Sequence, residues 1–105
     1  MYSSFPHESL DCYRLAVSFA RWLASARFPA RHADLADQAL RASQSVVLNI
    51  AEGMAREGAA RRNHLRIALG SAAEVAALID LMGVDTTQAN DIRRVGAMLA
   101  KLCAK

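Results

Sequence analysis

Apolar side chains recur at intervals of three and four residues along most of the chain, which is the period of an α-helix. Four segments show this pattern, and residues that favour chain breaks separate them. The segments cover residues 10–27, 33–57 and 59–82 and, after a linker at 84–88, continue to near residue 105. Pro29 ends the first segment, because the residue before proline avoids helical angles, and Gly58 and Gly83 follow the next two. The sequence therefore predicts four helices.

The predicted connections are short, which favours antiparallel packing of helices that follow each other in the chain. The linker at 84–88 offers Asp85, Thr86 and Thr87 as N-cap candidates for the fourth helix. Strand patterns, internal repeats and low-complexity segments are absent from the sequence. We predict an all-α protein, an antiparallel up-down-up-down four-helix bundle that forms one domain over residues 1–105.

Helices two and three carry apolar residues on nearly every side, whereas helix four has one apolar and one basic side. Helix two shows two separate apolar stripes. The first contains Leu35, Ala39, Ala42, Val46 and Ile50, and the second contains Leu40, Val47, Ala51 and Met54. A small bundle buries one such stripe, and a contiguous apolar patch left over is an association site. We therefore expect a homo-oligomer.

Six polar residues of helix two follow one another at spacings of three and four, which places them along one side. They are Gln38, Arg41, Ser45, Asn49, Glu52 and Arg56, and we call them the polar seam. One interpretation is an enzyme site in which Glu52, with Glu74 of helix three, acts as acid or base beside Arg41 and Asn49. The interpretation we favour is a buried structural network of Gln38, Arg41, Asn49, Glu52 and Glu74. In it, Arg41 pairs with Glu52 or Glu74, because buried charges persist only when they are paired.

Composition narrows the class of protein further. The chain has 105 residues, 53% apolar and 22% charged, which excludes a disordered chain, and its two Pro and five Gly argue against a turn-rich β fold. Its longest charge-poor run, residues 67–81, contains two acidic residues and is shorter than the ~20 apolar residues of a membrane span. A secretory leader pattern is also absent from the first residues. We expect a cytoplasmic protein without a membrane partner.

The cysteines and histidines lack the spacing of a metal or catalytic site. Cys12 and Cys103 lie at opposite ends of the sequence, and His7, His32 and His64 are far apart. We expect free, buried thiols and solvent-exposed imidazoles. Ser/His/Asp spacing, a phosphate-binding glycine loop and a di-metal Glu-x-x-His pattern are absent as well. The sequence therefore predicts no catalytic residue, metal or cofactor.

Basic residues concentrate around the turn between helices two and three and on helix four. The net charge is +3, and the segment from residue 88 onward accounts for all of it. We take as candidate nucleic-acid-binding residues Arg61, Arg62, Arg66, Arg93, Arg94 and Lys101. Such residues bind phosphates without sequence preference, and an oligomer multiplies their effect. The alternative is a solvated helix face without a partner.

Two glycines lie within otherwise apolar helices. Gly70 costs about 1 kcal/mol relative to alanine in the middle of a helix, so we expect a neighbouring helix to approach closely there. The same argument applies to Gly53.

RASQSVVLNIAEGMAR at residues 41–56, followed by LRIALGSAAE at residues 65–74, resembles the signature of a family of four-helix bundle proteins. These proteins are encoded in intervening sequences of bacterial 23S ribosomal RNA genes. The similarity covers residues from about 5 to 83. Relatives of the family include the accessory variability determinant of diversity-generating retroelements, a basic pentameric barrel that works with a reverse transcriptase and its template RNA. The resemblance therefore implies a ring-like homopentamer, with RNA, DNA, a reverse transcriptase or another protein as its partner.

The positions that match the family resemble fold determinants rather than catalytic residues. They are Arg41, Asn49, Ala51, Glu52, Gly53, Arg56, Gly70, Ser71 and Glu74. The chain departs from the strongly basic relatives by its modest charge. We predict an oligomeric accessory protein without catalysis that binds RNA or DNA through basic surfaces. The alternatives are a protein-interaction scaffold and, less favoured, an enzyme that uses the polar seam.

Overall fold

A computed structural model describes residues 4–105 of the chain. Those residues form four α-helices and contain no strand, which confirms the predicted helix count. The helices are α1 (Asp11–Ser25), α2 (Ala33–Met54), α3 (Gly58–Met82) and α4 (Thr87–Cys103). Two short 3₁₀ turns, Pro6–Ser9 and Ala30–His32, precede α1 and α2 and were not predicted. Helix α2 ends three residues before its predicted end at residue 57.

Local chemistry explains where α3 ends and α4 begins. Gly83 adopts left-handed angles with φ of 70°, and Val84 donates its backbone N–H to the Ile79 carbonyl at 3.2 Å. This Schellman arrangement satisfies carbonyls that the helix end leaves free. At the start of α4, the Thr86 side chain accepts the N–H of Ala89 at 3.1 Å. Thr86 is therefore the N-cap among the three predicted candidates.

Each helix packs against two neighbours: α1 and α3 each contact α2 and α4. The hydrogen-bond partners on α3 follow in the reverse order along α2: Ser45 pairs with Ser71, and Asn49, further along α2, pairs with His64, which comes earlier in α3. Asp80 near the end of α3 pairs with Arg93 in the first half of α4. Neighbouring helices therefore run antiparallel, as predicted.

The bundle core contains the first apolar stripe of α2. Ala39, Ala42, Val46 and Ile50 are buried, and Leu35 is half-buried. The largest fully buried aliphatic and aromatic side chains are Phe19, Ile50, Ile79, Ile92 and Leu99, which come from all four helices. Leu40, Val47, Ala51 and Met54 of the second stripe are only half-buried. The fold thus covers one stripe and leaves part of the other open to solvent.

The two helical glycines differ in their surroundings. A Cβ atom on Gly53 would lie 3.0 Å from the Cβ of His64 and 3.4 Å from the Arg61 carbonyl oxygen. The close approach predicted at Gly53 is therefore confirmed, between α2 and α3. A Cβ atom on Gly70 would meet nothing within 4 Å, and the residue is exposed. The prediction for Gly70 is wrong within the chain, because the residue lies on the outer side of α3.

The two cysteines are free, in different surroundings. Cys12 is buried, and its Sγ lies 3.8 Å from the Val95 carbonyl oxygen. Burial raises the pKa of the Cys12 thiol from 9.0 to about 11. Cys103 is half-buried, so the expectation of buried thiols is met fully at Cys12 only.

This difference predicts unequal thiol reactivity at pH 8. A pKa of about 11 in place of 9.0 lowers the thiolate fraction of Cys12 about 100-fold, and burial also blocks access of the reagent. Reaction with a chromogenic disulfide should show one fast thiol in the native protein and two after unfolding. Cys103→Ser should remove the fast phase, and equal rates for both thiols would contradict the prediction.

Because the folded-state pKa of Cys12 is raised, the contribution of this thiol to the free energy of unfolding is complete below about pH 9 and falls as the pH approaches 11.

Candidate nucleic-acid interface

The middle of the polar seam forms a hydrogen-bonded bridge between α2 and α3. Asn49 donates its side-chain N–H to the Ser45 carbonyl at 2.9 Å, and its Oδ1 lies 3.0 Å from Nδ1 of His64. The hydroxyls of Ser45 and Ser71 are 3.0 Å apart. All four residues are half-buried. We call Ser45, Asn49, His64 and Ser71 the polar bridge.

Only Asn49 of the five predicted network residues takes part in the polar bridge. Arg41 pairs with Asp37 at 3.3 Å and Glu52 pairs with Arg56 at 3.2 Å, both one turn apart within α2. Gln38 and Glu74 are exposed. The predicted pairing of Arg41 with Glu52 or Glu74 is therefore wrong in the described part of the chain. The reason is that α2 presents these side chains to solvent, where the nearest opposite charge is four residues away.

Sequence reasoning missed the contributions of His64 and Ser71. We expected His64 to be a solvent-exposed residue, but it is half-buried and bonded to Asn49. His7 and His32 are also half-buried rather than exposed. A signal was present, because His64 and Ser71 are seven residues apart and so lie on one side of α3. The polar side chains of α2 that pack against α3 need hydrogen-bond partners such as these two residues.

The exposed positions of Arg41 and Glu52 in the polar seam lead to a prediction on stability. Arg41→Ala and Glu52→Ala should each change the free energy of unfolding by less than about 0.5 kcal/mol, because exposed ion pairs contribute little. The side chains of Arg41 and Glu52 are 68% and 48% exposed. Urea unfolding followed by circular dichroism measures the change. A loss near the ~3 to 5 kcal/mol that is typical of a broken buried ion pair would contradict the exposure of these two side chains.

Two of the six candidate nucleic-acid-binding residues are already paired. Arg93 contacts Asp80 at 2.7 Å, and Arg94 contacts Asp91 at 3.2 Å. Arg94 also borders a groove between α1 and α4, whereas Arg93 points towards α3. The two guanidinium groups thus face different neighbours and are locally neutralised. Their spacing on α4 does not bring them together as one surface.

Arg61 has a local structural task. Its Nε donates to the Arg56 carbonyl at 2.8 Å, and its Nη2 donates to the Met54 carbonyl at 3.3 Å. Met54 is the last residue of α2 and Arg56 lies in the turn that follows. Carbonyls at a helix C-terminus lack partners within the helix, and positive charge is favourable there. Arg61 therefore caps α2 and is held in place at this end of the bundle.

Three candidate residues remain exposed and unpaired: within residues 4–105, Arg62, Arg66 and Lys101 have no carboxylate partner. Arg62 and Arg66 lie in the first third of α3, and Lys101 lies near the end of α4. Because these helices are antiparallel, the three residues lie towards the same end of the bundle.

Lys105, which was not among the candidates, extends this surface. A cavity of about 230 Å³ has Arg61, Arg62 and Lys105 around it and Met54, Leu65 and Leu102 among its apolar lining. We call Arg61, Arg62, Arg66, Lys101 and Lys105 the basic end. Its five cations make no ion pair within residues 4–105, which leaves a surface suited to phosphate groups. The sequence did not reveal this surface, because its residues come from the start of α3 and the end of the chain. These two segments are far apart in the sequence but lie at the same end of the bundle.

Other chemistry is sparse in the part of the chain that the structure describes. Among residues 4–105, no group of three His, Cys, Asp or Glu side chains is placed to hold a metal ion. None of the helices described is long and apolar enough to cross a membrane.

Comparison with known proteins agrees with this fold. Residues 8–102 match the sequence profile of the 23S rRNA-intervening sequence proteins, and the match includes all of α2 and α3. The chain belongs to the 23S rRNA-intervening sequence protein family. The match extends through most of α4, beyond residue 83, where the resemblance seen in the sequence ended. No curated protein sequence matches the chain.

Proposed function

We propose that this member of the 23S rRNA-intervening sequence protein family is a non-catalytic, homo-oligomeric accessory protein of the cytoplasm that binds the phosphate backbone of RNA or DNA. The basic end supplies the contacts. The ring-like homopentamer and the reverse transcriptase partner, both implied by the resemblance, belong to the same proposal.

One observation carries the nucleic-acid part of the proposal: a group of unpaired cations lies towards one end of the bundle. Arg62, Arg66, Lys101 and Lys105 are exposed and lack carboxylate partners within residues 4–105, while Arg93 and Arg94 each contact an aspartate. The net charge of +3 is modest, but these four residues bring unpaired positive charge to the end where α3 begins and α4 ends. Arg21, Arg27 and Arg31 also make no ion pair within residues 4–105, but they lie in the second half of α1 and in the connection to α2. An oligomer that aligns several such ends would multiply the phosphate contacts.

The absence of catalysis is also part of the proposal. The seam residues Arg41 and Glu52, which an enzyme would use, are exposed and engaged in ion pairs within α2. The cavities between α1 and α2, between α1 and α4 and at the basic end are lined by other residues. A charged pair in open solvent lacks the desolvated, oriented surroundings that catalytic acids and bases need.

The test is binding of a fluorescein-labelled single-stranded RNA of about 20 nucleotides, measured by fluorescence anisotropy between about 50 and 200 mM salt. Replacing Arg62, Arg66 and Lys101 together by alanine should weaken binding at least about tenfold at low salt. The slope of log K against log salt should decrease by about 2, because three phosphate contacts are lost.

The matched control replaces Arg93 and Arg94 by alanine. This variant also loses positive charge, but from side chains that aspartates already neutralise. Its RNA affinity should change less than about threefold if local contacts rather than net charge determine binding. Equal losses in both variants, or salt-independent binding, would contradict the assignment of the basic end.

A protein-interaction scaffold is the second candidate function. It is favoured by an apolar groove between α1 and α2, beside which Leu48 is 66% exposed. Exposed apolar surface of this kind is typical of protein contacts. An oligomer that shows no RNA or DNA binding at low salt would support this function over the first.

A further inference from the structure

An apolar groove runs along the surface where α1 meets α2. It has a volume of about 440 Å³. Its walls include Val17, Arg21 and Ala24 of α1 and Leu40, Val47 and Leu48 of α2. Leu40 and Val47 belong to the second apolar stripe of α2, and Leu48 beside them is 66% exposed. The groove is thus the part of α2 that the bundle leaves open.

A complementary ridge lies on the outer side of α3. Ile67, Gly70, Glu74, Ala77 and Leu81 follow one another at spacings of three and four, and all five are exposed. We call them the α3 ridge. Leu81 is 68% exposed and Ile67 is 43% exposed. The α3 ridge therefore has a large apolar side chain at each end, small residues between them and the acidic Glu74 at its centre.

The groove and the ridge carry opposite unpaired charges. Arg21 on the groove wall and Glu74 in the ridge centre both lack an ion-pair partner within residues 4–105. Gly70 adds a second argument. It lies in the middle of a helix, and nothing in its own chain lies close to it. A helix of another molecule can approach closely where a side chain is missing.

We propose that the α3 ridge of one copy packs into the α1–α2 groove of the next, with Leu81 against Leu48 and Glu74 paired with Arg21. The lengths agree, because the seven residues from Glu74 to Leu81 span about 10 Å of helix. The groove walls, from Val17 to Ala24 and from Leu40 to Leu48, span about the same length. One apolar anchor and one ion pair therefore fit the groove together.

This contact joins two different surfaces, so it is heterologous. The groove lies between α1 and α2, and the ridge lies on α3, on another side of the bundle. A heterologous contact leaves one free groove and one free ridge after every addition, until a ring closes. The inference rests on the homo-oligomer in the proposed function and specifies which surfaces form it. It is independent of nucleic-acid binding.

The experiment uses two variants that each disable one surface. Leu48→Asp blocks the groove and Leu81→Asp blocks the ridge, and both positions are exposed, so the fold is preserved. Light scattering should give the chain mass of 11.4 kDa for each variant alone. An equimolar mixture should give twice that mass and no more. The intact ridge of Leu48→Asp can enter the intact groove of Leu81→Asp, and the two surfaces left over are both blocked. Phe5→Asp, at a residue 66% exposed and outside both surfaces, should keep the wild-type mass.

A charge exchange tests the ion pair. Arg21→Glu or Glu74→Arg alone should weaken assembly at least about tenfold in protein concentration, and the double variant should restore it. Arg31→Glu is the matched control for a charge reversal elsewhere. Wild-type mass in Leu48→Asp or Leu81→Asp, or a mixture that stays monomeric, would overturn the proposed contact while leaving an oligomer and its RNA binding intact. A monomeric wild type would overturn both the contact and the oligomer.

Discussion

Replacing Phe19 by alanine should lower the free energy of unfolding by about 3 to 5 kcal/mol. Phe19 is 2% exposed and is among the largest fully buried side chains of the core. Its removal loses apolar burial and leaves a cavity that packed helices cannot fill completely. Urea denaturation at a fixed protein concentration measures the loss, because assembly adds to apparent stability.

Phe5→Ala is the matched control for this prediction. The same side chain is removed from a residue that is 66% exposed and lies before α1. The expected change is below about 0.5 kcal/mol. A loss at Phe19 no larger than that at Phe5 would contradict the four-helix core.

Replacing Gly53 by valine should lower the free energy of unfolding by about 3 kcal/mol. The new Cβ would lie 3.0 Å from the Cβ of His64 and 3.4 Å from a backbone oxygen of α3, so the helices must separate. Overpacking of this kind outweighs the gain of a few tenths of a kcal/mol from removing a helical glycine. The separation would also strain the hydrogen bond between His64 and Asn49.

Gly96→Val provides the comparison for Gly53. Gly96 lies in α4, and a Cβ atom there would meet nothing within 4 Å. The stability of this variant should stay within about 0.5 kcal/mol of the wild type. Both variants can be compared by thermal unfolding. Equal effects would show that helix propensity, rather than the approach of α2 to α3, determines the result at Gly53.

The periodicity of the sequence was sufficient to predict the fold. Four helices and their order follow from apolar spacing, because only one side of each helix can face the core. The breaks at Pro29 and Gly83 follow from backbone chemistry that acts within a few residues. The end of α2 was predicted less well, since helix ends depend on competing contacts such as the Arg61 guanidinium.

The partners of the polar side chains were harder to predict. The spacing placed Arg41 and Glu52 on one side of α2, but it could not show whether that side was buried. The structure exposes them, and each pairs four residues away within its own helix, a relation that the sequence also permits. His64 bonds across to Asn49, which depends on the packing of two helices.

The candidate interface shows the same limit. Arg62, Arg93 and Lys101 were equal candidates in the sequence, because all are basic and on helices. The structure separates them, since Asp80 of another helix neutralises Arg93 while the other two remain unpaired within residues 4–105. Basic residues in a sequence therefore predict a binding surface less well than basic residues that the fold leaves without an ion-pair partner.

We propose that the protein is an oligomer whose basic end binds nucleic acid. The most direct test is the mass of the purified protein by light scattering, at low and high salt, with and without a mixed RNA. We expect an oligomer whose mass increases with RNA at low salt and returns to its original value at high salt, because binding releases counterions from the phosphates and this release is less favourable when the salt concentration is high. A monomer whose mass RNA does not change at either salt concentration would contradict it.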